Sequence, residues 1–290
     1  MKNLNGWMVV HGFMKTHKFT EQADLFLHAA EQLGVGLQVV DHDQVLAKGT
    51  GLSKKPDFVL FYDKDVWLAK YLENQGILVL NSSEAIGICD DKRDMVLALQ
   101  EHRVPMPDFV IGPMCMEGEA YPNFDFLAQV EKSLGYPCVG KSACGSFGAQ
   151  VALLSTRNEC VNWLKNAQGN SPVFQEYIDK EVGVDYRVQV VRDHAVAAMK
   201  RCSHRDFRAN ASLGGSCEKV TITAEMEEIA VKAAVSCGCV YAGVDLLLGE
   251  HGYLVCEVNS NAHIKNLRDA TGIDASFPIL EDLINACRDY

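Results

Sequence analysis

The sequence predicts an α/β fold in its N-terminal third and a mixed α+β fold beyond it. In the first third, short apolar runs alternate with amphipathic stretches of helical spacing, the pattern of a parallel sheet covered on its faces. From about residue 138 onward, strand follows strand across glycine-rich or polar turns. The 290 residues are 48% hydrophobic and 22% charged, which suits a soluble globular chain with a sizeable core.

The elements follow in order. "WMVVHGF" (7–13) is a strand, and "EQADLFLHAAEQLG" (21–34) a helix stopped by glycine. "GLQVVDHD" (36–43) and "DFVLFYD" (57–63) are strands flanking a Lys/Gly/Ser-rich loop. "VWLAKYLENQG" (66–76) is a helix and "ILVLN" (77–81) a strand. Ser82 or Ser83 caps a short helix, and Asp90 or Asp91 caps the next, "KRDMVLALQEHRV", which Pro105 and Pro107 end. A domain boundary is expected near 83–90. Beyond it, "CVGKSACGSFGAQVALLS" (138–155) reads as strand, glycine loop, strand. A helix (157–168), a strand (172–178), a strand pair (185–200), a helix (224–237), a hairpin over 243–259 and a last helix near 276–288 complete the chain.

The net charge of −11, from 27 basic and 38 acidic residues, argues against a nucleic-acid partner while leaving room for a local phosphate site. Eleven cysteines are scattered without a C-x-x-C pair, so they read as small core residues of a reduced, cytoplasmic protein rather than zinc ligands. The N-terminus "MKNLNGWMVV" lacks the apolar core of a signal peptide. No apolar run approaches the ~20 residues of a membrane span, so no membrane partner is expected. The first turn, "HGFMKTHKFT", has no G-x-G-x-x-G, which leaves a dinucleotide site poorly supported.

Three clusters carry chemistry. The hairpin "GVDLLLGEHGYLVCEVN" (243–259) holds Asp245, Glu257 and Asn259 inside apolar strands, where unpaired carboxylates are costly. Alternation puts Glu257 and Asn259 on one face, with Cys256 and Val258 pointing into the core, and Asp245, at a similar distance from the turn, falls roughly opposite Glu257 in a register the sequence does not fix. Two carboxylates and an amide oxygen suit Mg²⁺ rather than zinc; the plainer reading is a solvated face of an edge hairpin. In "GKSACGSFGAQV" (140–151), Gly145 and Gly148 allow a loop that presents backbone N–H groups to phosphates, with Lys141 at the strand end; a plain hairpin turn fits equally. Arg187, Lys200, Arg201, Arg205 and Arg208 form the third cluster. A guanidinium in an apolar strand needs an anionic ligand or a buried partner such as Asp185 or Asp206. Together the clusters suit phosphoryl transfer from a nucleotide to an acidic acceptor.

In this order the motifs resemble the RimK-type glutamate-ligase branch of the ATP-grasp superfamily: "DDKRDMVLALQ" (90–100), "GKSACGSFGAQV", "FQEYI" (174–178), "GVDYRVQVV" (183–191), "DFRAN" (206–210), "GGS" (214–216), "AGVDLLL" (242–248), "EVNSNA" (257–262) and "TGID" (271–274). The resemblance implies an N-terminal pre-ATP-grasp α/β domain over 1–88 and an ATP-grasp clamp over 89–290, divided into a central subdomain (89–173) and a C-terminal one (174–290). It implies that Lys92 and Lys141 touch ATP and that Gly145, Ser146 and Gly148 belong to a loop over its phosphates. Glu176, Tyr177 and Ile178 would line the adenine, with Asp185 on the ribose side and Arg208 and Asn210 also at the nucleotide. Asp245, Glu257 and Asn259 match Mg²⁺ (or Mn²⁺) ligands, and Arg201 matches the arginine that holds an acyl phosphate. The implied activity is an ADP-forming ligation of a carboxylate or amino-acid substrate, such as glutamate, to an amine or peptide acceptor; relatives are commonly dimers or tetramers, so a homo-oligomer is one reading, while the sequence itself leaves the oligomeric state open.

One departure bears on specificity. After "EVN" many relatives carry Pro-Gly, whereas this chain runs "SNAHIKNLRDATGID". His263 and Lys265 there, with Arg187, are candidates for substrate binding. His263 has the chemistry to bind a carboxylate or act as a base, and equally to order its loop. Two other readings stand beside the ligase: an ATP-binding regulatory module without ligation, and a ligase that modifies a ribosomal peptide.

Overall fold

A computed structural model describes residues 4–13, 16–116, 118–145, 150–166, 171–203, 206–209 and 215–289. The expected α/β class is present in three sheets. Strands β1 (Asn5–Val10), β2 (Gly36–Asp41), β3 (Phe58–Tyr62) and β4 (Leu78–Leu80) form a parallel sheet ordered β2-β1-β3-β4. Helices α1 (His17–Gln32) and α2 (Val66–Asn74) connect them. On β3 the faces alternate: Phe58, Leu60 and Tyr62 join a core with Phe26 of α1, while Val59 and Phe61 join Leu68 and Leu72 of α2. Strand β1 ends at Val10, three residues short of the expected stretch, because the chain turns at Gly12 and Phe13.

Helix α3 (Ser83–Asp90) starts where Ser82 accepts the Ala85 N–H at 3.2 Å, and α4 (Lys92–Glu101) where Asp91 accepts the Arg93 N–H at 2.9 Å. A second sheet, ordered β5-β8-β6-β7, is antiparallel throughout: β5 (Phe109–Ile111), β6 (Cys138–Ser142), β7 (Val151–Leu154) and β8 (Pro172–Glu176). Helices α5 (Leu127–Leu134) and α6 (Arg157–Asn166) pack a small core of Leu127, Val130, Leu164 and Phe174 against it. The expected division after residue 173 falls inside β8, which lies whole in this sheet. The chain changes sheets only after Glu176.

The third sheet, ordered β11-β10-β9-β12-β13, is also antiparallel. Its strands are β9 (Val184–Val191), β10 (His194–Cys202), β11 (Ser216–Lys219), β12 (Tyr241–Gly249) and β13 (Gly252–Asn259). Helix α7 (Ala224–Ser236), capped by Thr223, buries Met226, Ala230, Ala233 and Ala234 against it. After β13 come α8 (Lys265–Thr271) and α9 (Ser276–Asp289). Helix α9 crosses back to the N-terminal sheet, where Ile279, Leu280, Leu283 and Ile284 pack with Met8, Phe26 and Leu60. The Tyr62 hydroxyl donates to the Ala262 carbonyl at 3.2 Å, tying that sheet to the segment after β13. No described helix is long and apolar enough to cross a membrane.

Candidate active site

The second and third sheets face one another across a cleft. The β6 side supplies Lys141, which is 8% exposed, together with Ser142 and Gly145. Helix α4 supplies Lys92 at its first turn, also 8% exposed. The Lys92 ammonium donates to the Gly145 carbonyl at 3.1 Å and lies 3.9 Å from Glu257 Oε1. Burial lowers its pKa, and the Glu257 charge works against that shift. Gly145 has φ +142°, and a Cβ there would stand 2.3 Å from Gln150 Oε1, so this turn requires glycine.

The floor is built by register. Arg201 on β10 pairs across to Asp185 on β9, and Arg187, two residues on along the same face, pairs across to Asp245 on β12. Asp245 pairs in turn with Glu257 on β13, as expected. The ladder is closed by bidentate bridges. Arg201 Nε and Nη2 each donate to Asp185 at 2.6 Å, and Arg187 donates to Asp245 at 2.7 and 2.6 Å. Arg201 Nη2 also reaches Asp245 Oδ2 at 2.9 Å. Burial pushes the Asp245 carboxyl up, but Arg187 and then Arg201 outweigh it and hold it below the ordinary carboxylate range. Burial leaves Asp185 above that range, with Arg201 as the main counterweight. The Arg201 guanidinium loses from burial and gains more from Asp245 and Asp185, which holds it firmly charged. Both arginine readings thus meet here: the guanidiniums have acidic partners of their own, and those partners border the cleft.

One expectation is corrected. Cys256 was expected to point into the core with Val258. Val258 is fully buried, but the pairing slips between Asp245 and Leu246: Asp245 faces Glu257, while Leu246 faces Val255. Cys256 is the extra residue of a β-bulge, which breaks the alternation and turns its thiol toward the cleft beside Glu257. Lys141 Nζ lies 3.5 Å from the Cys256 carbonyl and 3.7 Å from its sulfur.

The cleft brings together ten residues singled out from the sequence: Lys92, Lys141, Gly145, Glu176, Tyr177, Ile178, Asp185, Arg208, Asp245 and Glu257. Arg208 carries a bidentate bridge to Asp206, at 2.9 and 2.6 Å. Asn259 stands at the edge of the floor, its Nδ2 3.5 Å from Asp245 Oδ2. Ser146, Gly148, Arg205 and Asn210 lie outside the described residues. His263 is not in the cleft. Its ring meets Phe19 edge-on at 4.7 Å, and burial, with help from Arg187 and Lys18, pushes its pKa down to about 4. Lys265 opens α8 and pairs with Asp269 and, at 3.8 Å, with Glu21. Sequence reasoning missed Cys256 and Phe207 as cleft residues. Phe207 was visible inside "DFRAN" and faces Tyr177 across 6.3 Å between ring centroids; nothing in the sequence marks the bulge.

The arrangement resembles a nucleotide site with a hard-cation end, and residues 89–283 match the RimK-like ATP-grasp domain. The chain belongs to the RimK-like ATP-grasp family. Its relatives include a probable alpha-L-glutamate ligase of Trichodesmium erythraeum, 29% identical over 278 residues that cover 89% of this chain and 90% of that one. A probable alpha-L-glutamate ligase 2 of Shewanella amazonensis is 35% identical over 226 residues, 77% of this chain and 72% of the other. Solved ATP-grasp structures share the fold. The D-alanine–D-alanine ligase of Bacillus anthracis superposes with a TM-score of 0.75 at 18% identity, covering 99% of each chain. The ATP-grasp ligase PsnB, complexed with a phosphomimetic variant of its minimal precursor, Mg and ADP, has a TM-score of 0.69 at 17% identity, covering 98% of each chain.

Proposed function

We propose that this ATP-grasp protein is an ADP-forming carboxylate–amine ligase that works through an acyl phosphate. One observation carries the reading: two buried lysines, Lys92 and Lys141, face the carboxylates Asp245 and Glu257 across a single cleft. Lysines at one wall serve the phosphates of ATP. Glu176, Tyr177 and Ile178, at the end of β8, take the adenine, Asp185 the ribose side, and Arg208 and the 142–148 loop the rest of the nucleotide. The carboxylates and Asn259 fit a divalent cation by donor chemistry, being hard oxygens with no sulfur or imidazole among them. Lys92 and Arg187 now balance the charge a cation would balance. Bound there, Mg²⁺ would offset charge on the transferring phosphoryl group.

The substrate carboxylate oxygen attacks the γ-phosphorus, and the bond to the β–γ bridging oxygen breaks to release ADP. A neutral amine then attacks the acyl carbon, phosphate leaves with the C–O bond, and the nitrogen loses a proton to give the amide. Arg201, behind Asp245, would stabilise the anionic acyl phosphate, and the cleft walls would keep out the water that hydrolyses it. The acidic substrate is an amino acid such as glutamate, and the acceptor an amine or peptide. Arg187, His263 and Lys265 are the proposed substrate-side residues. The reading is tested by ADP release with ATP, Mg²⁺ and amino acids supplied in pairs and with peptide amines. Carboxylate- and amine-dependent ADP release is expected. ATP binding without any such turnover would favour a regulatory module instead.

A further inference from the structure

A second cluster lies at the far end of the N-terminal sheet, and the ligase reading makes no use of it. His11 follows β1, His42 follows β2 and Asp63 follows β3. The order β2-β1-β3 sets these three carboxyl ends side by side, at the edge where open parallel sheets bind ligands. One donor atom from each residue falls within 4.8 Å of the other two. The closest measured pair is His42 Nδ1 and Asp63 Oδ2, at 3.7 Å, and the two imidazole rings are 4.7 Å apart between centroids.

Asp63 supplies the independent observation. It is 5% exposed, and its Oδ1 accepts the N–H groups of Lys64 at 2.7 Å and Asp65 at 2.9 Å. Those bonds aim Oδ2 at the histidines, where it has no hydrogen-bond partner among the described residues. A buried carboxylate oxygen left so costs free energy unless a cation joins it. His42 Nδ1 accepts the Gly12 N–H at 2.8 Å, and His11 Nδ1 the Phe13 N–H at 3.3 Å. Both nitrogens therefore carry lone pairs rather than protons, as metal ligation requires. Backbone dipoles of a half-exposed turn meet those lone pairs now, and water can take over the amides.

The geometry points to a binding site for one divalent transition cation of the zinc class, held by His11, His42 and Asp63. Two imidazoles and a carboxylate select Zn²⁺, Co²⁺ or Ni²⁺ over Mg²⁺. A tetrahedral shell with bonds of about 2.1 Å sets its donors about 3.4 Å apart, so the present spacing closes by a small rotation of the half-buried rings. Three protein ligands leave a fourth position open to water or a ligand oxygen. This assignment does not depend on the ligase reading.

The test is titration of tag-free protein with Co²⁺, then Zn²⁺ in competition, under reducing conditions with excess Mg²⁺ and no nucleotide. One equivalent should bind, with a visible absorption band of nitrogen–oxygen ligation that Zn²⁺ abolishes. His42→Ala, His11→Ala and the isosteric Asp63→Asn should each weaken binding at least tenfold, while Glu257→Gln leaves it unchanged. Circular dichroism confirms that each variant is folded. Absence of saturable binding, wild-type affinity in the three variants, loss only in Glu257→Gln, or a near-ultraviolet thiolate charge-transfer band would each overturn the assignment.

Discussion

Arg201 is 4% exposed and bridges two carboxylates that are themselves buried. Removing it strands Asp185 and weakens the hold on Asp245. Arg201→Ala is therefore expected to destabilise the fold by about 3–5 kcal/mol in urea unfolding, as breaking one side of a buried pair does. Asp185→Leu combined with Arg201→Met should cost clearly less than the sum of the single changes, because neither partner is left alone. Additive costs would show the ladder to be energetically unlinked. His263 gives a pH signature. Its folded pKa, near 4, lies below the ordinary 6.5, so the neutral ring stabilises the fold fully above pH 6.5 and that contribution is lost as pH falls toward 4. His263→Phe, which keeps an aromatic partner for Phe19, should remove about 2–3 kcal/mol of acid-side stability loss between those limits. Melts at pH 7 and pH 4.5 measure the difference. Lys265, engaged with Asp269 and Glu21, offers less to a substrate than its sequence neighbourhood promised.

At the scale of elements, strand β6 and the β12–β13 hairpin border the same cleft, and each carries one irregular residue, Gly145 after β6 and Cys256 in β13. Gly145→Ala forces a side chain into a left-handed backbone already occupied by Gln150. ATP affinity should fall about tenfold or more by calorimetry, with only a small change in melting temperature, because the turn lies outside the packed cores. Much of this level was legible. The helix starts at Ser82 and Asp91 are readable because serine and aspartate side chains satisfy orphan N–H groups, and the similar distances of Asp245 and Glu257 from the turn bring the two roughly opposite, although the exact pairing needs the extra residue Cys256. The bulge at Cys256 was not, since one extra residue inverts a face without leaving any mark in composition. Strand β5 is three residues between prolines and a loop, and α5 spans barely two turns, too short for periodicity to speak. Helix α8 begins at Lys265 after Ile264, which makes no side-chain cap bond, so nothing announces its start. Strand β11 is a four-residue edge strand whose sequence, "SCEK", carries no β-branched or aromatic residue.

For the whole molecule, the cleft between two separate sheets makes nucleotide binding a brace. A ligand that binds only the assembled clamp adds RT ln(1 + [L]/Kd), about 2.7 kcal/mol at one hundred times Kd. Thermal unfolding with MgATP should therefore shift upward by several degrees, and Lys141→Ala should lose most of that shift at the same ATP concentration. An unchanged shift in Lys141→Ala would remove that lysine from the nucleotide site. Sequence reasoning reached the order of the parts but not their mutual packing, because contacts between residues far apart in the chain carry no local periodicity. The closing helix shows this. Its apolar stripe of Ile279, Leu280, Leu283 and Ile284 reads as amphipathic, but nothing local says which sheet it covers.

That helix also sets a schedule for synthesis. The first sheet is made early, yet Met8, Phe26 and Leu60 meet their last partners only when residues 276–289 arrive. At about 5–20 residues per second, the nascent first sheet waits on the order of ten seconds or more with one face uncovered. The strands of the other two sheets are all made before the final helix arrives, so the last segment synthesised covers the first.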